Sequence, residues 1–135
     1  MRAFALLLAV PTVALAGLWP SRQPELLPVE AAFQLEPVTW QAGTLRVPLR
    51  VAPGYYLYRD KVSVQPLADG QLSLPAGEAY HDEHFGDVVI YRHDVAVEAA
   101  VATPPDTVTV RWQGCADAGV CYPPQKRTVP VEVLR

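Results

Sequence analysis

Apolar and polar residues alternate with a period of two along most of this chain. In Thr44–Val51 the apolar positions are Leu45, Val47, Leu49 and Val51. Val62 and Val64 stand two apart within Lys61–Leu67, as do Val95, Val97 and Ala99 within Asp94–Val101. Val108 and Val110 repeat the pattern in Thr107–Gln113, and Val129, Val131 and Val133 repeat it in Thr128–Leu134. Side chains of a strand point alternately to its two faces, so each run predicts a strand with one face on a core and one in water. Turn-forming clusters separate the runs: Ala52-Pro53-Gly54, Ala68-Asp69-Gly70, Pro75-Ala76-Gly77 and Thr103-Pro104-Pro105-Asp106. No stretch after residue 17 has the period of a three-turn helix, and fourteen prolines oppose long helices. Short strands at regular spacing predict an all-β single domain, an antiparallel β-sandwich of immunoglobulin-like type. Pro48, inside a strand run, predicts an edge or a bulge there.

The N-terminus has a different character. Arg2 precedes an apolar run from Ala3 to Val13, and Ala14-Leu15-Ala16 has the small-x-small pattern of a signal-peptidase site. Residues 1–16 are expected to be a cleaved signal peptide, the run being too short for a comfortable membrane span. Residues 17–28 carry three prolines and read as an irregular leader; residues 29–135 are the expected domain. The 119 residues left after cleavage suffice for one ordinary core, and no later segment approaches a spanning length. Losing Arg2 takes the formal charge from −3 to −4. An acidic chain without a basic patch has no electrostatic footprint for nucleic acid or anionic lipid.

Two cysteines, Cys115 and Cys121, lie in Trp112-Gln113-Gly114-Cys115-Ala116-Asp117-Ala118-Gly119-Val120-Cys121-Tyr122-Pro123-Pro124. In an exported chain an even count points to a disulfide. Gly114 and Gly119 give the loop backbone freedom to bring the sulfurs together. Closing a seven-residue loop removes little unfolded-state entropy, about 2.4 kcal/mol. So short a ring suits the presentation of sulfurs, but spacing alone leaves exchange chemistry and a structural bond both open. Metal binding is the weaker reading. His81, His84 and His93 could add ligands, but five intervening residues are too many for a zinc knuckle. No Cys-x-x-Cys beside a βαβ pattern supports a thioredoxin domain, and no oxyanion site supports a cysteine hydrolase.

The segment Gln113–Pro124 resembles the active-site segment of the N-terminal periplasmic domain of DsbD thiol:disulfide interchange proteins. Other stretches resemble that family in the same order. Leu27-Pro28-Val29-Glu30-Ala31-Ala32-Phe33 is similar to its opening strand, and Gly54-Tyr55-Tyr56-Leu57-Tyr58-Arg59 to its tyrosine segment. Asp82-Glu83-His84-Phe85-Gly86, with Ile90-Tyr91-Arg92 after it, is similar to its cap loop. The resemblance implies an immunoglobulin-like sandwich with the cysteine pair at one edge and no cofactor beyond a redox-active disulfide. It implies transfer of electrons to oxidised periplasmic thioredoxin-like partners, of the disulfide isomerase or cytochrome c maturation type. A membrane electron donor would supply the electrons. It also implies that Cys121 forms the mixed disulfide, that Cys115 resolves it, and that the cap shields both.

Around the pair, Asp82, Glu83 and Asp117 either disfavour thiolate by their charge or simply keep loops soluble. Tyr56 and Tyr58 share one strand face and either wall the sulfur site or pack in the core. Two positions depart from the family pattern. His84 follows the Asp-Glu pair where an aromatic is usual, so either His84 or Phe85 is the capping residue. Val120 stands where phenylalanine is frequent.

Overall fold

The computed structural model describes residue 17 and residues 25–135. The expected signal peptide and most of the leader lie outside the described residues.

Pro28 opens a single helical turn, α1 (Val29–Ala32), because its carbonyl accepts from the N–H groups of Ala31 and Ala32. The expected opening strand over Leu27–Phe33 is therefore displaced: α1 takes most of that stretch, and β1, Phe33–Leu35, begins at its last residue. Eleven further strands follow among the described residues: β2 (Val38–Gln41), β3 (Thr44–Val51), β4 (Tyr55–Tyr58), β5 (Ser63–Gln65), β6 (Leu72–Ser73), β7 (Glu78–Asp82), β8 (Gly86–Tyr91), β9 (Val95–Ala100), β10 (Thr107–Trp112), β11 (Gly114–Ala116) and β12 (Gln125–Val133). No helix of the described residues is long and apolar enough to cross a membrane.

The strands form two sheets. The larger runs β5-β10-β12-β2-β3-β9-β6, with β1 also on β3; the smaller runs β11-β4-β8-β7. The domain is thus all-β, but the larger sheet is mixed. The first part of β12 pairs antiparallel with β10, from Gln125 opposite Trp112 to Pro130 opposite Thr107. Its end, Val131–Val133, pairs parallel with Val38–Trp40 of β2. One strand thereby bridges two sets of partners, which departs from the purely antiparallel expectation. Alternation reports which face is buried and says nothing of a neighbour's direction.

The alternating runs set the core. Leu45, Val47, Leu49 and Val51 of β3 are buried, as are Val95, Val97 and Ala99 of β9 and Val108 and Val110 of β10. All of these but Ala99 pack with Leu57 and Tyr91 of the smaller sheet and with Phe33 and Trp112. Val133, at the end of β12, is exposed instead. Pro48 lies in an interior strand rather than at an edge. It sits opposite the break between β1 and β2, where its carbonyl accepts from Glu36 N at 3.0 Å and no ladder bond needs its missing N–H.

The strand that matters most for the site is β4, buried on both faces. Tyr55 and Leu57 face the main core, whereas Tyr56 and Tyr58 point the other way. There they pack with Ile90 and Cys115 in a second cluster, fringed by Tyr80, Val88 and Cys121.

Candidate functional site: a disulfide held against a buried carboxylate

The cysteine pair is built as a very short antiparallel ladder. Gly114, Cys115 and Ala116 of β11 pair with Leu57, Tyr56 and Tyr55 of β4. The chain then turns through Asp117–Gly119, with Gly119 at φ 96° and its N–H bonded to Ala116 O. Returning, Val120 O accepts from Ala116 N at 2.7 Å, and Tyr122 N donates to Gly114 O at 3.0 Å. Cys115 and Cys121 stand opposite each other between these two bonds, with Cα atoms 3.9 Å apart and their sulfurs joined. A non-hydrogen-bonded antiparallel position is where facing side chains come closest.

The two glycines of this segment work differently from one another. Gly119 supplies the positive φ that the sequence suggested. Gly114 is needed for space: a Cβ there would lie 2.4 Å from both Phe33 Cζ and Tyr56 O.

The cysteines are unequally accessible. Cys115 is fully buried, while Cys121 is half-buried beside exposed Val120. Behind them stands a polar cage centred on Asp82, at the end of β7. Its side chain is buried, with the residue 3% exposed. One carboxylate oxygen accepts from Tyr56 Oη at 2.6 Å and from Tyr58 Oη at 2.7 Å. The other accepts from the backbone N–H groups of His84 and Phe85, at 2.7 and 2.9 Å. Burial alone would push the Asp82 pKa up, but these four hydrogen bonds outweigh it and hold the carboxyl down at about 2. Burial, reinforced by the Asp82 bond, pushes the Tyr58 phenol up to about 12, and the same causes raise Tyr56 further.

Tyr58 links this cage to the disulfide. Its oxygen lies 2.9 Å from Cys115 Sγ and 3.7 Å from Cys121 Sγ. Since the single phenolic proton goes to the carboxylate, an oxygen lone pair is left facing the sulfurs. Tyr56 and Tyr58 therefore wall the sulfur site instead of joining the main core.

The loop between β7 and β8 is three residues long, because Asp82 pairs with Gly86. Phe85 lays its ring edge-on to Tyr58, centroids 5.0 Å apart, with Lys61 Nζ 5.1 Å above its own centroid. His84 gives the cage its N–H while its residue stays exposed, and Glu83 is exposed on the same loop. Asp117 is also exposed, and its charge is paired with Arg92 at 2.6 Å. Among the described residues no group of three or more His, Cys, Asp or Glu is placed to hold a metal ion.

Residue-by-residue sequence reading gave no role to Arg92 or Tyr80. The usable signal was the alternation Glu78, Tyr80, Asp82 in β7, which puts all three on the face that carries the cage. It likewise missed the aromatic group of Phe33, Tyr55 and Tyr122 under the ladder, in which the Tyr55 and Tyr122 rings stack at 6.2 Å.

Fold and site together define a class: an all-β domain built around one half-exposed disulfide seated on a carboxylate–tyrosine cage. A family model described as "Thiol:disulfide interchange protein DsbD, N-terminal" matches residues 23–133. The chain belongs to this DsbD N-terminal family. Among curated relatives, DsbD of Yersinia pestis (strain Pestoides F) is 36% identical over 116 residues, covering 83% of this chain and 19% of the relative. DsbD of Vibrio cholerae is 41% identical over 113 residues, covering 81% of this chain and 19% of the relative. The chain thus spans about a fifth of the length of these relatives. Among solved structures, the Neisseria meningitidis DsbD N-terminal domain in the reduced form superposes with a TM-score of 0.67 at 35% identity, covering 79% of this chain and 90% of that one. The same organism's DsbD N-terminal domain in complex with the PilB N-terminal domain gives 0.66 at 37% identity, covering 78% and 87%.

Proposed function

We propose that this domain is a periplasmic electron carrier that reduces oxidised partner proteins by thiol–disulfide exchange at Cys115 and Cys121. The observation that carries the reading is the unequal burial of the pair: Cys121 borders solvent beside Val120, while Cys115 is fully enclosed against Tyr58. A staple needs no accessible sulfur, whereas exchange needs one sulfur that a partner can reach and one that it cannot.

In the reduced domain the Cys121 thiolate attacks one sulfur of the partner's disulfide. The partner's other sulfur leaves as a thiolate and takes a proton. The Cys115 thiolate then attacks Cys121 Sγ, closing the Cys115–Cys121 bond and releasing the partner's remaining sulfur as a second thiol. Two electrons and two protons pass to the partner in all. The short ladder keeps Cys115 at high effective concentration, so the mixed disulfide is brief. A membrane-held dithiol donor returns the domain to its reduced form by the reverse steps. The disulfide is itself the carrier, and no metal or organic cofactor takes part.

The partners in this reading are thioredoxin-like periplasmic proteins, of the disulfide isomerase or cytochrome c maturation type. The Neisseria relative seen with the PilB N-terminal domain supports a protein rather than a small molecule as the partner. Asp82, Tyr56 and Tyr58 keep the resting pair unreactive, Phe85 is the capping residue, and Glu83, His84 and Asp117 line the approach. Residues 1–16 direct export as a cleaved signal peptide, residues 17–28 lead in, and residues 29–135 form an immunoglobulin-like sandwich. Two facing sheets over one shared core support that last description.

Trapping tests the roles. Reduced Cys115→Ala keeps only the accessible sulfur and is expected to hold an oxidised thioredoxin-like protein in a stable mixed disulfide. Cys121→Ala is expected to trap none. The reverse pattern overturns the role assignment, and trapping by neither variant overturns the exchange reading.

A further inference from the structure

Arg92 follows directly on β8 and touches both halves of the site. Its Nη1 donates to Asp117 Oδ1 at 2.6 Å, and its Nε lies 3.5 Å from Glu78 Oε2. The guanidinium carbon stands 5.1 Å over the Tyr80 ring and 5.5 Å over the Tyr56 ring. Tyr56 is the ring that donates to Asp82, and Asp117 belongs to the spacer between the cysteines. One cation therefore joins the spacer to the cage. Its side chain is 28% exposed and that of Asp117 47%, so only the cation's side of the pair is shielded from water. Asp117 has a second tie, its N–H bonding to Gly54 O at 2.8 Å. Past Asp117 the spacer residues Ala118, Gly119 and Val120 are exposed.

We propose that Arg92 is a positioning residue that holds the spacer in place when the disulfide is open, keeping Cys115 within reach of Cys121. The proposal rests on the exchange reading above. While the sulfurs are joined, the covalent ring orders the spacer by itself. Once they part, order depends on the two ladder bonds around the pair and on the ties at Asp117. Ordering a loop costs conformational entropy, and a tie that survives reduction lowers what ring closure must still overcome. Without Arg92 the dithiol state gains freedom that the disulfide state does not, so reduction becomes easier. Lysine would not replace it fully, because a planar guanidinium stacks on both rings while donating sideways to a carboxylate, and an ammonium does not.

The test equilibrates folded wild type, Arg92→Met, Arg92→Lys, Asp117→Asn and the Arg92→Met/Asp117→Asn double variant with reduced and oxidised dithiothreitol. Each reduction transfers two electrons and two protons from the dithiol reagent, which closes to its ring disulfide, and leaves Cys115 and Cys121 as thiols. Arg92→Met and Asp117→Asn are each expected to raise the dithiol-to-disulfide ratio about three- to tenfold; tenfold corresponds to about 30 mV for a two-electron couple. Arg92→Lys should fall between them and wild type. The double variant should shift no further than the larger single change, because the two residues share one tie. Unchanged ratios in the folded single variants, or fully additive shifts, overturn the proposal. Should Arg92→Met fail to fold, Asp117→Asn decides, since it leaves the ring stack intact. If the variants match a wild type that is reduced while folded, only the Arg92 proposal falls. If wild type itself resists until it unfolds, the exchange reading falls, and this proposal with it.

Discussion

The Tyr58 hydroxyl oxygen stands 2.9 Å from the Cys115 sulfur while its proton is given to a carboxylate on the other side. A phenol in that state offers the sulfur a lone pair. In the reduced domain it would accept from a Cys115 thiol but could not donate to a thiolate. The negative Asp82 carboxylate behind it works in the same direction.

Asp82→Asn should therefore lower the Cys115 thiol pKa in the reduced domain, since it removes the charge and frees the Tyr58 proton for the sulfur. Ultraviolet thiolate absorbance against pH, measured on reduced protein that also carries Cys121→Ala, reads this without a reagent having to reach the buried sulfur. An unchanged or raised thiol pKa would count against the cage as a suppressor of thiolate.

Acid stability follows from the same carboxylate. Its pKa is lowered from 3.8 to about 2 on folding. The unfolded chain binds the proton more readily, so the contribution is fully present above pH 4 and is lost as pH falls through about 2. Its size is about 2 kcal/mol. Urea unfolding of the oxidised protein from pH 5 to pH 2 should show this loss, and Asp82→Asn should flatten that part of the profile.

Phe85 shields Tyr58 with its ring but is itself 48% exposed. Phe85→Ala should speed attack of a small thiol on the disulfide several-fold and leave global stability nearly unchanged, because little apolar surface is lost from the core. His84→Ala should leave that rate close to wild type, since only the His84 backbone enters the cage. Stopped-flow reduction by dithiothreitol distinguishes the two.

Glycine substitutions separate space from backbone conformation. Gly114→Ala forces a Cβ into Phe33 and the Tyr56 carbonyl and should cost about 3 kcal/mol, with loss of the ladder beneath the disulfide. Gly119→Ala meets no neighbour and should cost only the strain of a positive φ, about 1 kcal/mol. Equal costs in chemical denaturation would show the packing account of Gly114 to be wrong.

Strand alternation made β3, β9 and β10 legible in the sequence, because each buries one face on a single core. It was silent about β7 and β8, where the second face covers a small polar cluster and the apolar period is broken by Tyr80, His81 and Asp82. The parallel end of β12 was equally hidden, since strand direction leaves no mark on which side chains are buried. For the site, the cysteine segment and the acid-rich loop were legible as stretches. That Asp82 is buried while Glu83 next to it is exposed depends on β7 ending at Asp82, a tertiary fact with no local signature. Arg92 was legible only as part of the stretch after the cap loop, because its partners come from β4, β7 and the spacer.

The central claim is that the Cys115–Cys121 bond is exchanged in the native fold. Its most direct test is the reduction potential of that pair in the folded domain, equilibrated against a dithiol buffer while tertiary structure is monitored. A potential above about −300 mV with the fold retained is the expected result. A value well below that, or reduction only on unfolding, would make the bond a structural staple and contradict the account.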